Sequence, residues 1–120
     1  MENLPNTTIR TWGYYRVLHT VGSNVKLKEL TVEPGKSLSM QKHKKRKEYW
    51  FVAEGIATVY TNDGIGQDYC LGNFEKYQQL RIDENEWHQL CNKQETPLKV
   101  IEIQYGEECI EEDIERKPNS

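Results

Sequence analysis

An all-β barrel or sandwich is the fold class that this 120-residue sequence predicts, and three observations predict it. Short segments rich in β-branched and aromatic residues recur along the chain, which is typical of strands. Gly, Pro, Asn and Asp lie between these segments, as tight turns require. No stretch has a helical period long enough for a βαβ unit, so a parallel α/β fold is disfavoured.

Nine strands and one less regular segment are predicted in chain order. The connections between the strands include Pro34-Gly35, Asp63-Gly64 and Gly72-Asn73. The acidic stretch Glu107–Arg116 is predicted to form either a short helix or a tail. The predicted strands are Tyr14–Thr20, Val25–Val32, Leu38–Gln41, Glu48–Ala53, Ile56–Thr61, Gln67–Leu71, Tyr77–Ile82, Trp87–Asn92 and Leu98–Gln104.

The last predicted strand does not show by its pattern which of its faces is buried. Side chains alternate between the two faces of a strand, and here each face is partly apolar. The two faces therefore stay open as alternatives: Val100, Glu102 and Gln104 on one, and Lys99, Ile101 and Ile103 on the other.

Lys26 and Lys28 raise a related question, since they share a strand face with Leu30 and Val32. If that face is internal, two lysines line the interior. Such burial is costly unless an anionic ligand or a carboxylate compensates the charge. Alternatively, a bulge or twist near Glu29 returns both lysines to solvent.

Size and composition indicate a single domain over residues 1–120. Hydrophobic residues make up 36% of the chain and charged residues 29%, so the core must be thin, as in a narrow barrel. The cysteines Cys70, Cys91 and Cys109 lack CxxC spacing, and no segment resembles a signal peptide or a membrane span. We therefore expect a reduced, cytoplasmic protein with no membrane partner.

Charge is distributed unevenly around a net value of −3. Basic residues crowd positions 42–47, beside the site discussed next, and acidic residues crowd the segment 107–120. A basic run of this kind is usually a solvated face, and without interspersed stacking aromatics a nucleic-acid partner is disfavoured. A phosphorylated small molecule fits better, because lysines at the rim of a site neutralise phosphate locally.

Two motifs contain four candidate metal ligands, Gln41, His43, Glu48 and His88. The first motif, at 35–55, has the pattern G-x5-(H/Q)-x-H-x4-E-x6-G, and the second, within 77–92, contains H-x3-N. Positions 41 and 43 are two residues apart on a strand, so their side chains share a face and can converge on one ion. The polar segment Lys44–Lys47 is expected to bulge outward before the chain returns to the interior.

The chemistry of these four side chains suits a divalent metal. Imidazole, carboxylate and amide oxygen form a mixed nitrogen and oxygen donor set. Zinc is the first candidate, and manganese, iron, nickel and cobalt are the alternatives, because the set does not select sharply among them. Taken alone, His43 in a lysine-rich stretch would be a solvated surface histidine; the joint pattern favours a metal site.

The segments around the motifs carry a more specific resemblance. They are RTWGYY at 10–15, VKLKELTVEPG at 25–35, LSMQKH at 38–43, RKEYW at 46–50, VIEIQ at 100–104 and EDI at 112–114. The motifs resemble those of the cupin superfamily, whose fold is the double-stranded β-helix, or jelly-roll barrel. From Arg10 to Arg116 the chain resembles the type II mannose-6-phosphate isomerase family, which also occurs as the C-terminal domain of bifunctional mannose-1-phosphate guanylyltransferases.

This resemblance implies an aldose–ketose isomerisation between mannose 6-phosphate and fructose 6-phosphate, with a divalent metal at the four candidate ligands. In such a reaction a metal polarises the carbonyl and hydroxyl oxygens of the open-chain sugar, and a carboxylate or lysine moves a proton between C1 and C2. The catalytic candidates are Glu102 and Lys28. The substrate-binding candidates near the phosphate are Arg10, Lys26, Lys45 and Arg116.

Three positions depart from the family pattern without removing a proposed ligand. Lys44 and Lys45 stand where the family often has histidines, and Tyr49 stands where it often has another. Because a fold does not fix a function, a sugar-phosphate- or glycan-binding module without catalysis is the alternative function, and a cupin oxygenase or epimerase is a third hypothesis. We also expect a homodimer, because small barrels often extend a sheet across a two-fold axis.

Overall fold

Eleven strands and no helix make up residues 6–118, the part of the chain that this computed structural model describes. The predicted all-β class is confirmed. The strands are β1 (Thr7–Arg10), β2 (Gly13–Val21), β3 (Val25–Val32), β4 (Gln41–Lys42), β5 (Arg46–Glu54), β6 (Ala57–Asn62), β7 (Asp68–Phe74), β8 (Gln79–Ile82), β9 (Gln89–Cys91), β10 (Leu98–Gly106) and β11 (Glu115–Arg116).

Two antiparallel sheets enclose the core. The larger has six strands in the order β1-β2-β3-β10-β5-β8, and the smaller has three in the order β7-β6-β9. Their inner faces form one cluster, in which Val32, Val52 and Val100 of the larger sheet join Val59 and Leu90 of the smaller. A third pair, β4 with β11, lies apart from both sheets.

Strand β10 runs along the middle of the larger sheet and decides which polar residues face inward. Its buried face carries Val100, Glu102 and Gln104, which resolves the alternatives that the pattern left open. Glu102 lies opposite Lys28 of β3 and also opposite Trp50 of β5. Polar side chains from three adjacent strands therefore project into the same interior.

Strand β3 is regular where the sequence allowed a bulge. Its pairing with β10 is continuous, and the irregularity lies instead on β2, between Val17 and His19. Lys28 is consequently buried, whereas Lys26 nearer the strand end is half-buried. The interior does contain a lysine, so a compensating charge is required.

The chain around the first motif differs from the prediction in two ways. Most of the predicted strand Leu38–Gln41 is extended but does not pair continuously with a neighbouring strand. Its main chain is joined to residues 88–91 only by isolated hydrogen-bonded bridges. The predicted outward bulge Lys44–Lys47 covers only Lys44 and Lys45. Arg46 begins β5 with its side chain buried, since its guanidinium finds a carboxylate and a carbonyl oxygen inside the barrel.

The two ends of the described chain also differ from the prediction. Strand β1, which the sequence did not predict, pairs with β2. No helix forms between residues 107 and 116, because the main chain there bonds to the barrel instead: the amide of Glu107 donates to Lys45 O and that of Cys109 donates to Ser23 O. The last two residues of the predicted acidic segment 107–120 lie outside the described residues.

The three cysteines differ in their exposure. Cys70 is exposed, Cys91 and Cys109 are buried, and all three are free. Within residues 6–118 there is also no helix long and apolar enough to cross a membrane.

Gly106, where the chain leaves β10, is tightly packed against the first motif. It has φ +153°, and a Cβ there would lie 2.6 Å from Lys45 O and 2.9 Å from Arg46 Cα. We expect Gly106→Ala to lower the free energy of unfolding by about 2–4 kcal/mol, measured by urea denaturation, because strain and a backbone clash add.

Gly64→Ala is the matched control for this substitution. Gly64 also has a positive φ, +85°, but no atom lies within 4 Å of the Cβ position. Gly64→Ala should lower the free energy of unfolding only by the cost of the backbone conformation, about 1–2 kcal/mol. Equal losses in the two variants would contradict the clash.

Candidate metal centre

Three of the four predicted ligands form a buried cluster. His43 follows β4, Glu48 lies on β5, and His88 directly precedes β9; their donor atoms all lie within 4.8 Å of one another. His43 Nε2 is 3.2 Å from Glu48 Oε2, and His88 Nε2 is 3.4 Å from Glu48 Oε1. The carboxylate therefore lies between the two imidazole nitrogens.

The hydrogen bonds on the far side of each ring define its tautomer. His43 Nδ1 lies 2.7 Å from Asp113 O, and His88 Nδ1 lies 2.9 Å from Glu86 O. A carbonyl oxygen only accepts, so each Nδ1 carries the hydrogen and donates it. In the neutral ring Nε2 then has a lone pair directed at the cluster, which is the state a metal ligand needs.

Arg46 adds a permanent positive charge to the cluster. Its Nε and Nη2 each lie 3.2 Å from Glu48 Oε2, and Nη2 lies 3.3 Å from His43 Nε2. A guanidinium only donates, so the contact with His43 agrees with a lone pair on Nε2. Arg46 is not among the predicted site residues, although a residue two positions before Glu48 shares its strand face.

The electrostatics favour an ionised carboxylate beside a neutral imidazole. Burial raises the pKa of Glu48, but the contact with His43, the neighbouring His88 and the charge of Arg46 together outweigh burial and hold that pKa well below its usual value. Burial lowers the pKa of His88 against the attraction of Glu48.

The donor set therefore fits a divalent metal. Two imidazole nitrogens and an ionised carboxylate are ligands that zinc, manganese and similar ions accept. Gln41, the fourth predicted ligand, pairs through its main chain with His88, with N–O distances of 3.0 and 2.9 Å. Its side-chain Nε2 donates to Ser39 O at 3.4 Å, which leaves the amide oxygen as the atom available to a metal.

A cavity of about 520 Å³ opens onto this cluster. Its size is within the usual range for small-molecule sites. The polar and charged residues that line it, apart from two serines, Thr11 and Tyr15, are Arg10, Lys28, Gln41, Arg46, Glu48, His88, Glu102, Gln104, Glu111, Glu112 and Arg116.

Glu102 is a second buried carboxyl group in this cavity, and its environment differs from that of Glu48. Its Oε2 accepts from Trp50 Nε1 at 2.9 Å, and its Oε1 accepts from Gln104 Nε2 at 2.7 Å. Burial, followed by the negative charge of Glu48, raises the pKa of Glu102 to about 7, and the positive charge of Lys28 opposes this. A carboxyl group with such a pKa can both accept and return a proton near neutral pH.

The carboxylate of Glu111 compensates the positive charge of the buried Lys28. Its Nζ lies 2.8 Å from Glu111 Oε2 and 4.2 Å from the centre of the Tyr15 ring. Lys26 reaches the same carboxylate oxygen at 3.4 Å. Burial raises the pKa of Glu111, and the neighbouring lysines more than reverse that shift, so the net pKa is lowered.

Gln104 has an unused acceptor at the cavity. Its side chain is buried, and Oε1 has no hydrogen-bond partner among the described residues. Nε2 of the same amide donates to Glu102, and this hydrogen bond fixes the orientation of the amide and therefore of its oxygen. Gln104 is not among the predicted site residues; its position two residues after Glu102 on the same strand face is the signal that indicates it.

The predicted phosphate-binding residues fall into two groups. Arg10 and Arg116 line the cavity, and neither forms an ion pair among the described residues. Lys26 and Lys45 are not among the lining residues, and Lys45 Nζ lies 3.5 Å from Glu108 Oε1. The structure brings only the two arginines to the cavity.

Comparison with known proteins agrees with this geometry. The family model described as mannose-6-phosphate isomerase C-terminal matches residues 2–119. The chain belongs to this family. The predicted family assignment is confirmed.

Two relatives show how the domain occurs elsewhere. The alginate biosynthesis protein AlgA of Pseudomonas putida is 36% identical over 107 residues, which are 89% of this chain and 21% of that protein. The mannose-1-phosphate guanylyltransferase RfbM of Salmonella typhimurium is 38% identical over 107 residues, with the same shares of 89% and 21%. The chain thus spans about a fifth of the length of the curated relatives it matches.

Solved structures support the fold. A sugar phosphate isomerase of the cupin superfamily from Silicibacter pomeroyi has a TM-score of 0.63 at 15% identity, covering 77% of this chain and 58% of that one. An oxalate decarboxylase from Bacillus subtilis has a TM-score of 0.77 at 15% identity, covering 92% and 29%. At such identities the likeness concerns the fold alone, and it confirms the cupin barrel.

We expect the metal-free protein to bind about one Zn²⁺ or Mn²⁺ per chain, measured by titration calorimetry and elemental analysis. His43→Ala and His88→Ala should each abolish this binding, because each removes a nitrogen donor. Added metal should raise the melting temperature of the unmodified protein but not of either variant.

His19→Ala is the matched control, since His19 is the third histidine and its side chain is exposed on β2. This variant should bind metal as the unmodified protein does. Equal loss of metal in all three variants would contradict the assignment of the cluster.

Proposed function

We propose that this protein is a metal-dependent isomerase that interconverts mannose 6-phosphate and fructose 6-phosphate. The observation that carries the proposal is Glu102, a buried carboxyl group with a pKa of about 7 in the same cavity as Glu48 and His88. A group that exchanges protons and a donor set for a cation are what an aldose–ketose isomerase needs. Membership of the mannose-6-phosphate isomerase C-terminal family supports the same activity.

The metal would be held by Gln41, His43, Glu48 and His88. When bound, a divalent metal polarises the carbonyl oxygen of the open-chain sugar. Zinc is our first candidate, and manganese belongs in the same assay because one structure with this fold, of the Bacillus subtilis oxalate decarboxylase, concerns Mn(II) centres.

Glu102 is proposed to move the proton between the two sugar carbons. In its ionised form it takes the proton from C2 of mannose 6-phosphate; the C–H electron pair becomes the C1–C2 double bond of an enediol, and the C1 carbonyl oxygen gains a proton. Glu102 then returns its proton to C1, and the C2 hydroxyl releases its proton as it becomes the carbonyl of fructose 6-phosphate, which balances the proton gained by the C1 oxygen. Trp50 and Gln104 orient the carboxylate through their hydrogen bonds.

Lys28 and the two cavity arginines are proposed to bind the charged parts of the substrate. Lys28, opposite Glu102 in the sheet, stabilises negative charge that develops on the sugar oxygens. Arg10 and Arg116 bind the phosphate, since both line the cavity. Lys26 and Lys45 remain predicted contacts outside the cavity lining, and a cytoplasmic homodimer remains a prediction.

A second candidate function is a module that binds a sugar phosphate or glycan without converting it. The ion pair between Lys28 and Glu111 is the observation that favours it, because an internal carboxylate already occupies the lysine proposed to act in catalysis. Saturable binding of mannose 6-phosphate by metal-loaded protein, with no fructose 6-phosphate formed, would support this function and overturn the isomerase.

We expect Glu102→Gln to lower kcat by about 10²- to 10⁴-fold in a coupled assay for fructose 6-phosphate, because the amide cannot accept the C2 proton. In the unmodified protein, kcat should rise as pH increases through about 7, since only the ionised form of Glu102 is the base. Metal content and circular dichroism of the variant serve as controls. A pH-independent rate across the neutral range would contradict the role of Glu102.

Arg10→Ala and Arg116→Ala should each raise KM for mannose 6-phosphate by about 10- to 100-fold, since each removes a charge-assisted hydrogen bond to phosphate. The control is Arg81→Ala, the same change at an exposed arginine of β8. If Arg81→Ala raised KM as much, or if both cavity variants left KM unchanged, the phosphate site would be misplaced.

A further inference from the structure

The segment Ile110–Lys117, which we call the C-terminal strap, contacts the turn that carries His43. Asp113 makes three of these contacts. Its main-chain oxygen accepts from His43 Nδ1 at 2.7 Å, its Oδ1 accepts from Lys44 N at 3.0 Å, and its Oδ2 accepts from Lys45 N at 2.9 Å. One residue therefore bonds to three consecutive residues between β4 and β5.

The strap is itself held on both sides of Asp113. Before it, Ile110 O accepts from Arg46 Nη1 at 2.9 Å. After it, β11 pairs with β4, and Lys117 N donates to Met40 O at 2.9 Å. Asp113 N also donates to Ile110 O at 3.3 Å, so Asp113 is placed both by a local turn and by the attachment of the strap to the barrel.

The two histidines of the cluster differ in what orients them. His88 bonds to Glu86 O, two residues earlier in the same stretch, so its orientation is a local property. His43 bonds to a residue from the far end of the chain, so its orientation depends on the strap. Partners of this kind fix the tautomer and the ring angle of a metal-binding histidine.

We propose that Asp113 is a positioning residue for the metal centre. Its carboxylate fixes the Lys44–Lys45 turn, and this holds its carbonyl oxygen against His43 Nδ1. The proposal rests on the proposed metal site and goes beyond it, because it assigns the strap a part in metal affinity. The carbonyl is present whatever the side chain, so the carboxylate is the part that substitution can remove.

The test compares Asp113→Ala, Asp113→Asn and the control Glu115→Gln. Glu115 lies in the same strap with its side chain exposed, so its substitution changes charge without removing a described contact. Competition with a chelator gives the Zn²⁺ affinity of each protein. Nitrogen-15 NMR of metal-free protein gives the Nδ1–H signals of His43 and His88 separately, and a melting curve confirms folding.

Asp113→Ala should bind Zn²⁺ about 10- to 100-fold more weakly than the unmodified protein. Its His43 Nδ1–H signal should broaden or exchange faster, while that of His88 stays unchanged. Asp113→Asn keeps one acceptor for the turn, so its Zn²⁺ affinity should lie between those of Asp113→Ala and the unmodified protein. This variant still tests the proposal if the alanine variant unfolds. Glu115→Gln should match the unmodified protein in both measurements.

Unchanged Zn²⁺ affinity in a folded Asp113→Ala variant would overturn the proposal, as would an equal effect on the two histidine signals. Failure of the proposed function gives a different result. If the unmodified protein binds Zn²⁺ but converts no sugar phosphate, the isomerase fails and the positioning role is still decided by the affinities. If it binds no Zn²⁺ at all, both fail, and the NMR signals show only whether the strap orients His43.

Discussion

Glu48 carries a negative charge inside the barrel, and the arrangement of its neighbours follows from that charge. A buried carboxylate is tolerated only where partners replace the water it has lost. Two imidazole nitrogens and the Arg46 guanidinium lie within 3.4 Å of its oxygens. These partners come from the turn before β5, from β5 itself and from the chain before β9, so the carboxylate is compensated only when the barrel has closed.

The same cavity contains a second carboxyl group whose surroundings have the opposite effect. Glu102 accepts two hydrogen bonds from neutral groups and forms no ion pair within residues 6–118, so burial dominates and its pKa rises. Around Glu48 the contact with His43, the second imidazole of His88 and the Arg46 guanidinium together outweigh burial, and the pKa falls. Two carboxyl groups with separated pKa values can take different chemical roles. The ionised Glu48 suits the binding of a cation, and Glu102 suits the transfer of a proton.

The acidic end of the chain acts as part of the site rather than as a solvated tail. Glu111 pairs with Lys28, Asp113 bonds to the turn after His43, and Ile110 accepts from Arg46. Within the basic run at 42–47, Lys45 pairs with Glu108 and Arg46 pairs with Glu48. Among the described residues that line the cavity, Arg10 and Arg116 are the cations that form no ion pair.

The sequence by itself determined the all-β class and most of the strands, and it predicted the three residues that meet in the candidate metal cluster. Those features depend on local alternation and on short motif spacings, as for His43 and Glu48. Only the tertiary structure decided that Glu102 and Gln104 face inward, because both faces of β10 are partly apolar and the neighbouring strands select one. It also decided the place of Arg46 and of the strap. The strap and its partners at residues 40–46 lie far apart in sequence, and no local pattern encodes hydrogen bonds between such distant segments.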